Sequence, residues 1–128
     1  MKALSMKQPV PELILEGRKT IELRNWNTKF RGEFYLHASN NYIQNLLDKF
    51  EFEKERLTKG AIVGKAELID VIKFETLGQF NEMKDKHLAN ASDWFKPGKT
   101  HGFILENPQR LDKPIKIKGK LNFFEVNL

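Results

Sequence analysis

The sequence predicts a single α+β domain built on a curled sheet or small barrel, with five to six mostly antiparallel strands and about three helices. Three observations carry this expectation. The length of 128 residues fits one domain. Stretches of two-residue alternation, as in 19–26 and 33–39, are interleaved with shorter stretches of helical i, i+3, i+4 spacing. The longest alternating stretch, residues 60–75, exceeds an ordinary strand, as strands that bend around a barrel do. No repeat, low-complexity segment or interdomain linker divides the chain.

Each element follows from its local pattern. Met1 to Lys7 alternates weakly and reads as an edge strand, broken by Gln8-Pro9. Val10, Leu13 and Ile14 lie at helical spacing, Pro11 suits a first turn, and Gly17 suits the left-handed position after the last. From Lys19 the period becomes two, with Ile21 and Leu23 on the face that holds the strand to the core and Thr20, Glu22, Arg24 and Trp26 on the other. After a turn at 27–32, Phe34, Leu36 and Ala38 alternate with Glu33, Tyr35, His37 and Ser39. Asn40 or Asn41 is placed to cap a second helix with Ile43, Leu46, Leu47 and Phe50 as its buried stripe. Gly64, inside the long strand, marks a bulge or a close backbone approach. Residues 77–89 read as one helix with Leu77 and Phe80 inward, and 90–102 as a loop of turn formers. The next strand ends at Asn107-Pro108, and one or two strands around Gly119 close the chain.

Composition narrows the chemistry. The chain has no cysteine, which removes disulfides, thiolate metal sites and cysteine nucleophiles together and suits a reducing cytoplasm. It shows no signal-peptide pattern and no apolar stretch near the ~18 residues of a membrane span, so a cytoplasmic protein without membrane contact is expected. The formal net charge of +5 favours an anionic partner, of which nucleic acid is the commonest. Phosphate-loop and dinucleotide fingerprints are absent, as is a nucleophile-elbow motif. His37, His87 and His101 lack metal-ligand spacing, so neither a metal nor a cofactor is expected.

The densest functional pattern is "GRKTIELRNW", residues 17–26. Lys19 follows the helix end and can lean into a cleft between helix and sheet, where a cation suits a phosphate or a polarised carbonyl. Glu22 and Arg24 share a strand face; they can pair as a surface salt bridge, or Arg24 can hold a phosphate while Glu22 reads a base edge. Trp26 can stack on a base or cover the barrel mouth as core. Tyr35 and His37 extend the same surface if the two strands pair, although a lone histidine is more often structural. A second basic patch is formed by Lys113, Lys116, Lys118 and Lys120, the last three on one strand face; it suits phosphate tracking or protection of a sheet edge. Trp94 and Phe95, beside Lys96, Lys99 and His101, suit a stacking lid or a plug for the barrel end.

The segment "SMKQPVPELILEGRKTIELRNW" resembles the opening of ASCH (activating signal cointegrator homology) domains. Their signature G-x-K-x-x-E-x-R is matched by Gly17, Lys19, Glu22 and Arg24. "LSMKQP", "RGEFYLHAS", "IVGKAELIDV" and "HGFILENPQRLDKPIKIKGKLNFFEV" resemble further family segments in the same order, so the likeness runs from about Ala3 to Val126. The resemblance implies a PUA-like β-barrel and a role with RNA or nucleotides, and it places Ser5, Lys7 and Gln8 at the border of the cleft. Some ASCH proteins bind nucleic acid, some are ribonucleases, and a compact branch removes the acetyl group of N4-acetylcytidine. That branch uses a lysine and a threonine on the signature strand with a distant glutamate. Its lysine aligns with Lys19, but its threonine aligns with Glu22, so the nucleophile position of that branch holds a glutamate here.

These readings give a first expectation of an RNA- or nucleotide-binding module, single-stranded nucleic acid included, using Lys7, Gln8, Lys19, Glu22, Arg24, Trp26, Tyr35 and His37. A second is a small ribonuclease or amidohydrolase with Glu22 as general base and Lys19 as electrostatic stabiliser. A third is a protein-interaction adaptor, which would present a continuous apolar patch instead of a polar cleft.

Overall fold

A computed structural model describes residues 1–128. Six strands are present: β1 (Lys2–Gln8), β2 (Ile21–Arg24), β3 (Gly32–Tyr42), β4 (Ala61–Phe74), β5 (Thr100–Lys116) and β6 (Phe123–Glu125). Five short helices accompany them: α1 (Val10–Leu15), α2 (Gln44–Lys49), α3 (Leu77–Glu82), α4 (Lys84–His87) and α5 (Ala91–Trp94), with one further helical turn at Lys54–Arg56. The strands form one sheet in the order β2-β5-β4-β3-β1-β6. Only β1 and β3 run parallel; the other pairs are antiparallel.

The α+β class and the curled, mostly antiparallel sheet are as expected, but the sheet does not close into a barrel. β2 and β6 remain its two edges and share no ladder. Side chains bridge the gap instead. Trp26, just beyond β2, meets Phe123 of β6 edge-to-face at 5.8 Å between ring centroids. Arg24 donates from Nη2 to the Ser5 carbonyl of β1 at 2.9 Å. Inside the curl lies the main core, with Leu4, Met6, Phe34, Leu36, Leu68 and Phe103 among its buried members.

Two smaller apolar clusters sit on the outer faces of the sheet. One holds Ile21, Leu23, Phe74 and Phe80 under the helical segment 77–95. The other holds Ala3, Ile62, Phe124 and Val126, covered by Tyr35, Leu111, Ile115 and Ile117. β2 is therefore reversed relative to the expectation. Ile21 and Leu23 pack outward against the helices, while Glu22 and Arg24 stand opposite Phe103 and His101 across the ladder, facing into the curl.

Several local expectations are corrected. β1 is an interior strand between β3 and β6. β3 continues through Asn40 and Asn41 to Tyr42, so α2 begins after Ile43 with no side-chain cap. The helix expected over 77–89 is split at Met83, and Leu77 is 51% exposed because α3 packs through Phe80 alone. Its start is fixed by Thr76, whose hydroxyl accepts from the Gln79 amide at 3.1 Å. The loop 90–102 contains α5. β5 continues through Asn107-Pro108 by way of an irregularity: Asn107 takes a φ of +52° and the β4–β5 register shifts between Lys65 and Glu67, which accommodates the proline inside the strand. Gly64 behaves as expected: the β3–β4 and β4–β5 registers both shift beside it, and a Cβ there would lie 2.6 Å from the Gln109 carbonyl oxygen.

Candidate nucleic-acid interface

The curl is open at one end, where the end of β1, β2, α2 and the segment 87–94 surround a cavity of about 700 Å³. Its floor is an ionic triad built by the reversal of β2. Glu22 is 7% exposed and Lys19 6% exposed. Glu22 Oε2 accepts from Arg24 Nη2 at 3.0 Å. Glu22 Oε1 accepts from its neighbour's amide, Leu23 N, at 3.2 Å and lies 3.4 Å from Lys19 Nζ. Lys19 Nζ also donates to the His87 carbonyl at 2.7 Å. Both carboxylate oxygens are thus held by donors, an arrangement suited to fixing two cations and not to accepting a substrate proton.

Burial pushes the Lys19 ammonium below the ordinary lysine value; the adjacent Glu22 carboxylate opposes that shift and the Arg24 charge reinforces it. Arg24 makes its two protein hydrogen bonds through Nη2, leaving Nη1 and Nε free of protein partners at the cavity wall.

His87 holds the opposite wall in shape. Its Nδ1 accepts from the Ala89 amide at 3.1 Å, so Nε2 carries the hydrogen that is donated to the Phe80 carbonyl at 2.8 Å. The ring lies 4.1 Å from that of Phe80. Burial first, and the nearby Lys19 charge after it, lower its proton affinity, while the bond to Phe80 opposes them. A neutral His87 thereby fixes the turn at Leu88, whose φ is +63°, and aims its own carbonyl at Lys19.

Around the rim stand Lys7, Lys49, Trp26 and Trp94, together with Asn45 and Asp93. Lys7 and Lys49 have no ion-pair partner among the salt bridges of the chain. Trp26 is wedged edge-on against Phe103 and Phe123, so it is core on one side and cavity wall on the other. Trp94 is 40% exposed, whereas its neighbour Phe95 packs on Phe80, so the lid and plug readings divide between adjacent residues.

The structure brings Lys7, Lys19, Glu22, Arg24 and Trp26 to one cavity, and places the other expected residues elsewhere. Gln8 is buried and donates to the Thr58 carbonyl. Tyr35 packs on the outer-face cluster. His37 is buried beneath the C-terminal segment, between Ser5 Oγ at 2.9 Å and the Ile117 carbonyl at 2.7 Å. Lys113, Lys116, Lys118 and Lys120 are exposed and do not line the cavity; β5 ends at Lys116, so the last two lie beyond any strand. Sequence reasoning missed Asn45, Lys49 and the 87–90 wall. Nothing in the sequence marks which residues of α2 or of 87–90 face β2.

The family model for the ASCH domain matches residues 4–115. The chain belongs to the ASCH domain family. Among solved structures, it is similar to the ASCH protein of Zymomonas mobilis, with a TM-score of 0.67 and 14% identity over 90% of this chain and 72% of that one. A serine-to-alanine variant of the same Zymomonas mobilis protein matches with a TM-score of 0.67 and 14% identity, over 91% of this chain and 73% of the other. A tyrosine-to-phenylalanine variant gives 0.66 and 14%, over 90% and 74%. At that identity the likeness is one of fold. No curated protein matches the chain. No helix is long and apolar enough to cross a membrane.

Proposed function

We propose that this ASCH domain binds RNA or a nucleotide in the cavity above the Lys19–Glu22–Arg24 triad. The observation that carries the reading is the guanidinium of Arg24, fixed by Glu22 and the Ser5 carbonyl with donors left over at the cavity wall. A pre-oriented guanidinium with spare donors suits a phosphate, because the geometry is set before the ligand arrives. Trp26 and Trp94 provide apolar ring surface for a base, and Lys7 and Lys49 add positive charge at the entrance. A volume of about 700 Å³ suits a ligand of nucleotide size. Family membership supports the same reading, since ASCH domains are generally RNA-binding.

The test is equilibrium binding of a short single-stranded RNA and of a nucleoside monophosphate to the wild-type chain and to the rim variant Lys7→Ala/Lys49→Ala. Affinity for the RNA should fall roughly tenfold or more in the variant and weaken with salt in the wild type. Equal affinity in both proteins would contradict the assignment.

A second reading rests on Lys19. A buried amine whose proton affinity is lowered by desolvation, facing a cavity, is a form in which lysine acts as a base in hydrolysis. The substrate class would be an amide or ester on a modified nucleoside. Lys19→Arg separates the two readings, because arginine keeps the cation but does not release its proton. Binding retained with hydrolysis lost favours the enzyme; absence of hydrolysis in the wild type leaves the binding domain.

A further inference from the structure

The walls of the cavity differ in charge. Lys7 on β1, Arg24 on β2 and Lys49 on α2 put cations on one part of the lining. The segment 87–94 puts a carboxylate on another, at Asp93 of α5. Only two carboxylates line the cavity, Glu22 and Asp93. Glu22 is committed, with Oε2 on Arg24 and Oε1 on Leu23 N and Lys19. Asp93 forms no ion pair, and its carboxylate takes no hydrogen bond from the protein.

The turn that carries Asp93 is nevertheless fixed. The Asp93 amide donates to the Asn90 carbonyl at 3.1 Å, and the Phe95 amide to the Ala91 carbonyl at 2.8 Å. The hydroxyl of Thr100, a buried residue, donates to the Trp94 carbonyl at 2.8 Å and accepts from the Lys96 amide at 2.9 Å. Phe95 packs on Phe80 with 5.5 Å between ring centroids. α5 therefore brings an unpaired carboxylate and the Trp94 indole to the cavity on a backbone that is set before a ligand arrives.

A base laid against Trp94 brings its edge to the neighbouring Asp93. The four bases differ in what they show to a carboxylate, which can only accept. Guanine presents N1–H and its 2-amino group as two adjacent donors, a fork that matches both oxygens of one carboxylate. Adenine and cytosine place a ring-nitrogen acceptor beside their amino donor, and uracil flanks its single N3–H with two carbonyls. Each of these sets a lone pair against Asp93. We infer, on the nucleotide reading of the cavity given above, that Asp93 makes the site selective for guanine, with the base on Trp94 and the phosphate on the Arg24 side.

The experiment is calorimetric titration of the full chain with guanosine, adenosine, cytidine and uridine 5′-monophosphates, and with the inosine and xanthosine analogues. The guanosine nucleotide is expected to bind about tenfold or more tightly than the other three common ones, the discrimination of one bidentate pair. Inosine monophosphate, which keeps N1–H and lacks the 2-amino group, should fall between. Asp93→Asn is nearly isosteric, and the side chain has no protein partner to lose, so the variant should fold as the wild type does. Its amide offers one acceptor and one donor, which fits xanthine, where N1–H stands beside a 2-carbonyl. The variant should therefore weaken for guanosine monophosphate and strengthen for xanthosine monophosphate. Equal affinity of the wild type for the four common nucleotides, or preference for another base, would overturn the inference and leave the cavity reading intact. So would a parallel loss of the guanosine and xanthosine nucleotides in Asp93→Asn, since Asp93 would then act only on the shape of the wall. A wild type that binds the short single-stranded RNA but no monophosphate would overturn the guanine selection alone, and one that binds neither would overturn both.

Discussion

At the residue scale, the central feature is a carboxylate placed where the strand pattern expects solvent. Glu22 is buried between two cations, and removing one member of such a set leaves the others uncompensated in a poorly solvated site. Glu22→Gln is therefore expected to destabilise the chain by about 3 kcal/mol, measured by urea unfolding. A second residue-scale prediction concerns His87. Its proton affinity is lowered in the folded chain, so between the ordinary histidine value of about 6.5 and the folded value the unfolded chain binds the proton more readily. Stability falls as pH drops through that window, and the same direction holds for His101, where burial and Lys73 act together. His87→Gln keeps a donor for the Phe80 carbonyl and removes the titration. Its stability deficit relative to wild type should narrow on going from pH 7.5 to pH 5.5 in thermal unfolding. The identity of these residues was legible from the signature motif, but their burial was not, because alternation alone cannot say which face of a strand lies inside a curled sheet. Glu22 and Arg24 looked like the outer face, and a core that accepts an ion triad reverses that inference.

At the scale of the elements, the sequence was most informative where a single pattern dominates. α1, with its helical spacing, Pro11 and Gly17, and the alternating heart of β3 appear as expected. Boundaries failed where tertiary pairing overrides local signals. Asn40 and Asn41 resemble helix caps, yet β3 extends through them to Tyr42, and the Gln8 carbonyl of β1 holds the next amide, Ile43. Pro108 resembles a strand end, yet β5 continues past it, through a register shift against β4 with Asn107 at a φ of +52°. The helix 77–89 breaks because only Phe80 and His87 are fully buried along it. Gly64 is the element-scale prediction. Its missing side chain lets β5 and Leu15 of α1 approach from two sides, and the nearest atom on one side is backbone. Gly64→Ala should cost about 1–3 kcal/mol in the same unfolding assay, with a secondary-structure spectrum otherwise like the wild type.

At the scale of the whole molecule, the open seam joins fold to function. A closed barrel would have buried the end of β2, whereas the curled sheet leaves Arg24 and Trp26 at a wall reached from solvent. The fold class could be read from composition, period and resemblance. The cavity could be read only in part, because Lys49, Asn45 and the 87–90 wall are brought to β2 by helix placement rather than by any motif. The chain offers its own reporter of that site: it has only two tryptophans, Trp26 and Trp94, and both line the cavity. The decisive measurement is intrinsic tryptophan fluorescence during titration with a short single-stranded RNA, with fluorescence anisotropy of the labelled RNA recorded in parallel. A ligand seated in the cavity should produce saturable quenching or a spectral shift that tracks the anisotropy curve, and both should weaken together in Lys7→Ala/Lys49→Ala. Anisotropy that reports binding while the tryptophan signal stays unchanged would place the RNA elsewhere on the molecule and contradict the account.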